Sequence, residues 1–117
     1  QGRQEEAIKA YAEAARLDPE EVPARFNMAL ALARLGRQSE AAAALRAVID
    51  LDPSHLAARA QLVRLHARAG DEADARDQAA KLERLAPDDP LARETAAYVE
   101  SVFGRHTESV SAPQVGR

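Results

Sequence analysis

The sequence predicts an all-α solenoid of antiparallel helix pairs, and three observations carry that prediction. The first is a fixed period. Gly2, Gly36, Gly70 and Gly104 lie 34 residues apart, as do Pro19, Pro53 and Pro87, Leu17, Leu51 and Leu85, and Arg25, Arg59 and Arg93. Several independent series sharing one period mark an internal repeat. The second is the pattern inside each period, two stretches with apolar residues at helical spacing separated by a glycine. The third is the punctuation. Asp18-Pro19 and Asp52-Pro53 close the preceding helices, since proline cannot continue a helix and biases the residue before it away from helical geometry.

The elements follow in order. Residues 3–17 read as a helix with Ala7, Ile8, Tyr11, Ala14 and Ala15 on one face. In the repeat register it is the second helix of a pair whose first member is absent, so its apolar face is expected to be partly uncovered. That fits the boundary of an excised piece, and the start at Gln1, not Met, agrees. Self-association through this face is the alternative. Residues 22–35 and 38–51 form one complete pair, and 55–69 and 72–85 the next. Ser54 and Asp71 are the expected N-caps of the helices that follow them. Asp89-Pro90 reads as N-cap and first helical residue of a helix reaching Phe103. Gly104 to Val110 parallels Gly36 to Ala42, so residues 105–117 are expected to hold a short or frayed helix, stopped by Pro113 and Gly116, and a flexible tail. The expected divisions are therefore a repeat domain over 1–104, made of a half unit 1–21, full repeats 22–55 and 56–89, and a helix 90–103.

These residues resemble the tetratricopeptide repeat, a helix–turn–helix unit of that period. The matching positions are Met28, Ala29 and Leu32, the turn glycine Gly36, then Ala41, Leu45, Val48 and the closing Pro53. The family's large aromatic near the start of the first helix is replaced by Arg25, Arg59 and Arg93. Its tyrosine further along is Leu32, then His66, then Glu100. The resemblance covers residues 1–104. It implies a right-handed superhelical array whose first helices line the concave surface, and a non-catalytic scaffold that binds protein or peptide.

Charge sharpens that expectation. The first helices of the two complete repeats carry Arg25 and Arg34, then Arg59, Arg64 and Arg68, with no Asp or Glu. The second helices carry most of the acids. A net charge of -3 would then hide a basic inner groove and an acidic outer face. By resemblance the groove is lined by Phe26, Asn27, Leu30 and Arg34, by Ala60, Gln61, Arg64 and Arg68, and by Glu94, Thr95 and Tyr98. Asn27 and Gln61 can both donate to and accept from a peptide backbone. The arginines can hold a carboxylate bidentately. Phe26, Leu30 and Tyr98 could seat apolar side chains, although Phe26 and Tyr98 are expected to belong partly to the core. Arg25, Arg59 and Arg93 are expected to lay their stems over packed surface. The expected ligand is an extended or helical segment carrying acidic groups. Some family members grip the acidic C-terminal tails of chaperones through a two-carboxylate clamp of Lys and Asn. Here the matching positions hold Phe26, Leu30 and Ala57, Asn27 alone fits, and that clamp is not expected.

Other functions find little support. There is no cysteine, which excludes disulfides and thiol chemistry and leaves the compartment undetermined. No apolar run approaches the roughly 20 residues of a transmembrane helix. His55, His66 and His106 are too scattered to suggest a metal site. No phosphate-binding loop or nucleophile motif is present, and no cofactor is expected. At 3% aromatic residues, the chain has few platforms on which nucleic-acid bases could stack. The competing reading is a structural module that self-assembles or serves a larger enzyme or assembly.

Overall fold

The computed structural model describes residues 2–104, and the expected short helix and tail at 105–117 lie outside the described residues. Six helices follow one another: α1 (Gly2–Leu17), α2 (Val22–Arg34), α3 (Gln38–Leu51), α4 (Leu56–Arg68), α5 (Glu72–Leu85) and α6 (Pro90–Phe103). Among the described residues there is no strand. The helices form where the periodicity places them, with ends shifted by a residue or so.

The two connections of the repeat are built differently. Within a pair, glycine makes the turn. Gly36 and Gly70 have φ of 80° and 81°, a region that a Cβ disfavours. The Arg37 N–H then donates to the Leu32 carbonyl at 2.9 Å, and the Asp71 N–H to the His66 carbonyl at 2.9 Å, satisfying carbonyls that the helix end leaves open. Between pairs, aspartate makes the turn. The Asp52 carboxylate accepts from the Ser54 N–H at 3.3 Å and from its hydroxyl at 3.1 Å, and Asp18 accepts from the Glu20 N–H at 3.2 Å. The arginine series fastens these loops. Arg25 Nε donates to the Pro19 carbonyl at 2.8 Å and Arg59 Nε to that of Pro53 at 2.7 Å.

Two expected caps are corrected. His55, not Ser54, caps α4, its Nδ1 accepting from the Ala58 N–H at 3.1 Å; Ser54 is held by Asp52 instead. Asp71 occupies the N-cap position of α5 but its side chain makes no cap bond; it faces His66 at 3.7 Å. Asp89 caps α6 as expected, accepting from the Leu91 N–H at 2.8 Å.

The core lies in successive seams, as a solenoid requires. Ala29, Leu32, Ala41, Leu45, Val48 and Leu62 pack where α2, α3 and α4 meet. Val63, Ala75, Ala79 and Val99 join α4, α5 and α6, and Ala60, Leu82 and Ala92 form a further cluster across the same helices. α6 packs on both α4 and α5, whereas α4 leans on α3 more than on α2. Phe26 of α2 stands one period before Ala60 of α4. The phenyl ring sits tilted on His55 with centroids 4.8 Å apart, while Ala60 is 3% exposed and lets α6 approach. The position of Leu32 also changes character. Leu32 is core; His66 faces Asp71; Glu100 accepts from Arg76 at 3.1 Å. Arg76 also donates to Glu72 at 2.8 Å and to the Gly104 carbonyl at 2.6 Å, tying α5 to the end of α6.

Candidate functional site

Three of the expected groove residues come together with residues of α1. Asn27, Leu30 and Arg34 follow helical spacing on one face of α2, and Arg3, Gln4, Ala7 and Tyr11 do the same on α1. With Ala31 they line one recess of about 310 Å³. Arg3, Asn27 and Arg34 are exposed, and Leu30 and Tyr11 are half-buried. Among the described residues neither Arg3 nor Arg34 pairs with a carboxylate, so two cations face solvent beside an amide and an apolar floor. Arg37, just outside, is in contrast neutralised, donating to Glu40 at 2.7 Å and to Glu5 at 3.4 Å. The hydrogen bond from Arg37 holds the Glu40 carboxyl below its ordinary pKa and raises that of the guanidinium.

The other expected residues divide. Arg64 and Tyr98 meet at the α4–α6 seam, the guanidinium carbon 4.4 Å from the ring centroid. That stacking satisfies one face of Arg64 and fixes its direction. Gln61 is half-buried on α4 and Arg68 is exposed at its end. Phe26 is packed against the core and on His55. Thr95 is a correction. It is fully buried, and its hydroxyl donates to the Leu91 carbonyl at 2.7 Å, so it has nothing to offer a ligand.

Arg3, Gln4, Ala7 and Tyr11 were not among the expected groove residues. The signal was present in the register. They belong to a second helix, and Ala7 and Tyr11 stand one period before Ala41 and Leu45, which α2 and α4 cover. That side of α1 lines the recess together with α2. The structure also brings together His66, Asp71 and Asp74, whose possible ligand atoms lie within 4.8 Å of one another. A search for histidine pairs does not find this, because two of the three groups are aspartates, Asp71 at the N-cap position of α5 and Asp74 in its first turn. The two aspartates are exposed at the N-terminus of α5, where negative charge is favoured without any ion.

A tetratricopeptide-repeat family model matches residues 1–55 and again 26–90. Solved structures agree in fold. The first TPR of Spaghetti (RPAP3), bound to the HSP90 peptide SRMEEVD, is 20% identical with a TM-score of 0.76, covering 90% of this chain and 83% of that one. The TPR2B domain of yeast Sti1, in complex with pHsp70, is 26% identical with a TM-score of 0.74, over 86% of this chain and 84% of that one. A thermophilic TPR protein from Thermus thermophilus is 28% identical with a TM-score of 0.76, over 84% of this chain and 50% of that one. No curated protein sequence matches the chain.

Proposed function

The chain belongs to the tetratricopeptide-repeat family, and we propose that it is a non-catalytic scaffold holding an acidic segment of another protein. The repeat unit acting here is residues 1–104, with full repeats at 22–55 and 56–89 between an incomplete one and the final helix. The Sti1 domain in complex with pHsp70 supports peptide binding as the class of function. The observation that carries the reading for this chain is the α1–α2 recess, where the unpaired cations Arg3 and Arg34 stand with the Asn27 amide beside Leu30 and Tyr11. Two guanidinium groups can each take a carboxylate bidentately, an amide can pair with the backbone between them, and the apolar floor can seat one side chain. By the repeat register, Gln61, Arg64 and Arg68 of α4 correspond to Asn27, Leu30 and Arg34 and are the further residues that this reading assigns to the groove, with Tyr98 stacked on Arg64.

The chaperone-tail clamp remains outside this proposal, since Phe26, Leu30 and Ala57 stand where it needs polar or basic groups. A second reading, self-association, is favoured by one observation. Ala41, Ala44, Leu45 and Val48 of α3 are buried, while the same positions of α1, Ala7, Ala10, Tyr11 and Ala14, are open or half-open. The test is a pull-down from lysate with the immobilised chain and its Arg3→Ala/Arg34→Ala variant, at low and high salt. A partner retained by the native chain, lost in the variant and weakened by salt supports the basic recess. Equal recovery by both overturns it, and recovery of the chain alone favours self-association.

A further inference from the structure

On a different face, the ends of α3 and α5 and the start of α4 enclose a second charged surface. One recess of about 340 Å³ is lined by Arg59, Lys81, Arg84 and Leu85. A second, of about 280 Å³, shares Arg59 and Lys81 with it and adds Arg46, Asp50 and Ile49. Four cations thus line a continuous surface with one carboxylate among them. This breaks locally the acidic outer face expected from the second helices.

The cations are poorly neutralised. Elsewhere in the chain Arg16, Arg37 and Arg76 each bond a neighbouring glutamate. Among the described residues Arg46, Arg59 and Arg84 pair with no carboxylate. Lys81 has only an exposed contact with Asp77 at 3.4 Å on its own helix, worth little against solvent. Arg59 is also pre-set. Its Nε donates to the Pro53 carbonyl at 2.7 Å, which restrains the guanidinium while leaving its terminal N–H groups without a carboxylate partner among the described residues. The repeat supplies an internal control. One period earlier, the positions of Arg59, Lys81 and Arg84 hold Arg25, Ala47 and Asp50. The cluster is therefore particular to the second repeat and not a by-product of its geometry.

Like charges held together repel unless an anion joins them. We propose that this surface binds a phosphorylated serine or threonine on a segment of a partner protein. A phosphate carries close to two charges and three acceptor oxygens, which matches several guanidinium and ammonium donors better than one carboxylate does. Leu85, 45% exposed, and Ile49 lie beside the charges and give an apolar neighbour of the phosphorylated residue a place to rest. This proposal does not depend on the α1–α2 recess.

The test is an NMR titration of the isotope-labelled chain with a short phosphoserine-leucine peptide, its unphosphorylated twin and inorganic phosphate. Arg46, Arg59, Lys81 and Leu85 amides are expected to shift saturably with the phosphopeptide alone. The Lys81→Ala/Arg84→Ala variant, both side chains being exposed, is expected to keep its fold and lose at least about tenfold in affinity. The Arg3→Ala/Arg34→Ala variant is expected to bind the phosphopeptide as the native chain does. Equal shifts from the unphosphorylated twin, unchanged affinity in the Lys81/Arg84 variant, or saturation by inorganic phosphate at the same concentration would each overturn the proposal, the last by making this a free-anion site.

Discussion

Leu82→Ala tests whether the seams carry the stability. Leu82 is fully buried in a cluster whose other buried members are Ala60 and Ala92, with Leu56 and Leu91 packed at its edge. Removing three carbons loses about 2.4 kcal/mol of transfer free energy at about 0.8 kcal/mol each. The alanines around it have no rotamers with which to fill the gap, so a cavity term of roughly 1 kcal/mol is added. The expected loss is about 3–4 kcal/mol. That is a large share of the roughly 5–15 kcal/mol typical of folded domains. Leu85→Ala is the control, three residues along the same helix and 45% exposed, with an expected loss under about 1 kcal/mol. The assay is urea denaturation followed by circular dichroism, comparing midpoints at constant slope. Similar losses for the two variants would refute the account of the α4–α5–α6 seam.

Other consequences are open to the same assay. Gly70→Ala meets no atom within 4 Å but forces a Cβ onto a φ of 81°, so a loss of about 1–2 kcal/mol is expected from the backbone alone. Arg59→Met keeps the stem and removes the bond to Pro53, with an expected cost of about 1 kcal/mol; Arg93→Met, where no such bond exists among the described residues, should be near neutral. The guanidinium groups of Arg16 and Arg37 hold the Glu13 and Glu40 carboxyls below their ordinary values. Their contribution is present above the unfolded pKa and lost as pH falls through the lowered folded values. Both pairs are exposed, so the acid-side loss should be small and should shrink in high salt. Glu13→Gln/Glu40→Gln should flatten it further.

Much of the fold was legible because the repeat states its punctuation openly. The glycines at 36, 70 and 104 and the prolines at 19, 53 and 87 mark where helices end. The errors arose where a neighbour in space decides the outcome. Ser54 has the right chemistry for a cap, but Asp52 captures it and His55 takes the role. Thr95 shares a register position with Asn27, yet Thr95 is buried with its hydroxyl on the Leu91 carbonyl, while Asn27 is exposed in the recess beside α1. The residues that α1 adds to the recess lie on a second helix, whereas the groove was expected from first helices alone. The Arg59–Lys81–Arg84 cluster joins positions on two helices, and counting charge helix by helix hides it.

The central claim is that the α1–α2 recess takes an acidic segment through Arg3, Arg34 and Asn27. The most direct measurement is titration calorimetry of the acidic segment recovered from the pull-down against the native chain, Arg3→Ala/Arg34→Ala and Thr95→Val. The account predicts that the arginine variant loses about 2 kcal/mol or more, roughly 30-fold in affinity, with a shallower salt dependence. It also predicts that Thr95→Val binds as the native chain does. Equal affinity of the native chain and the arginine variant would contradict the claim.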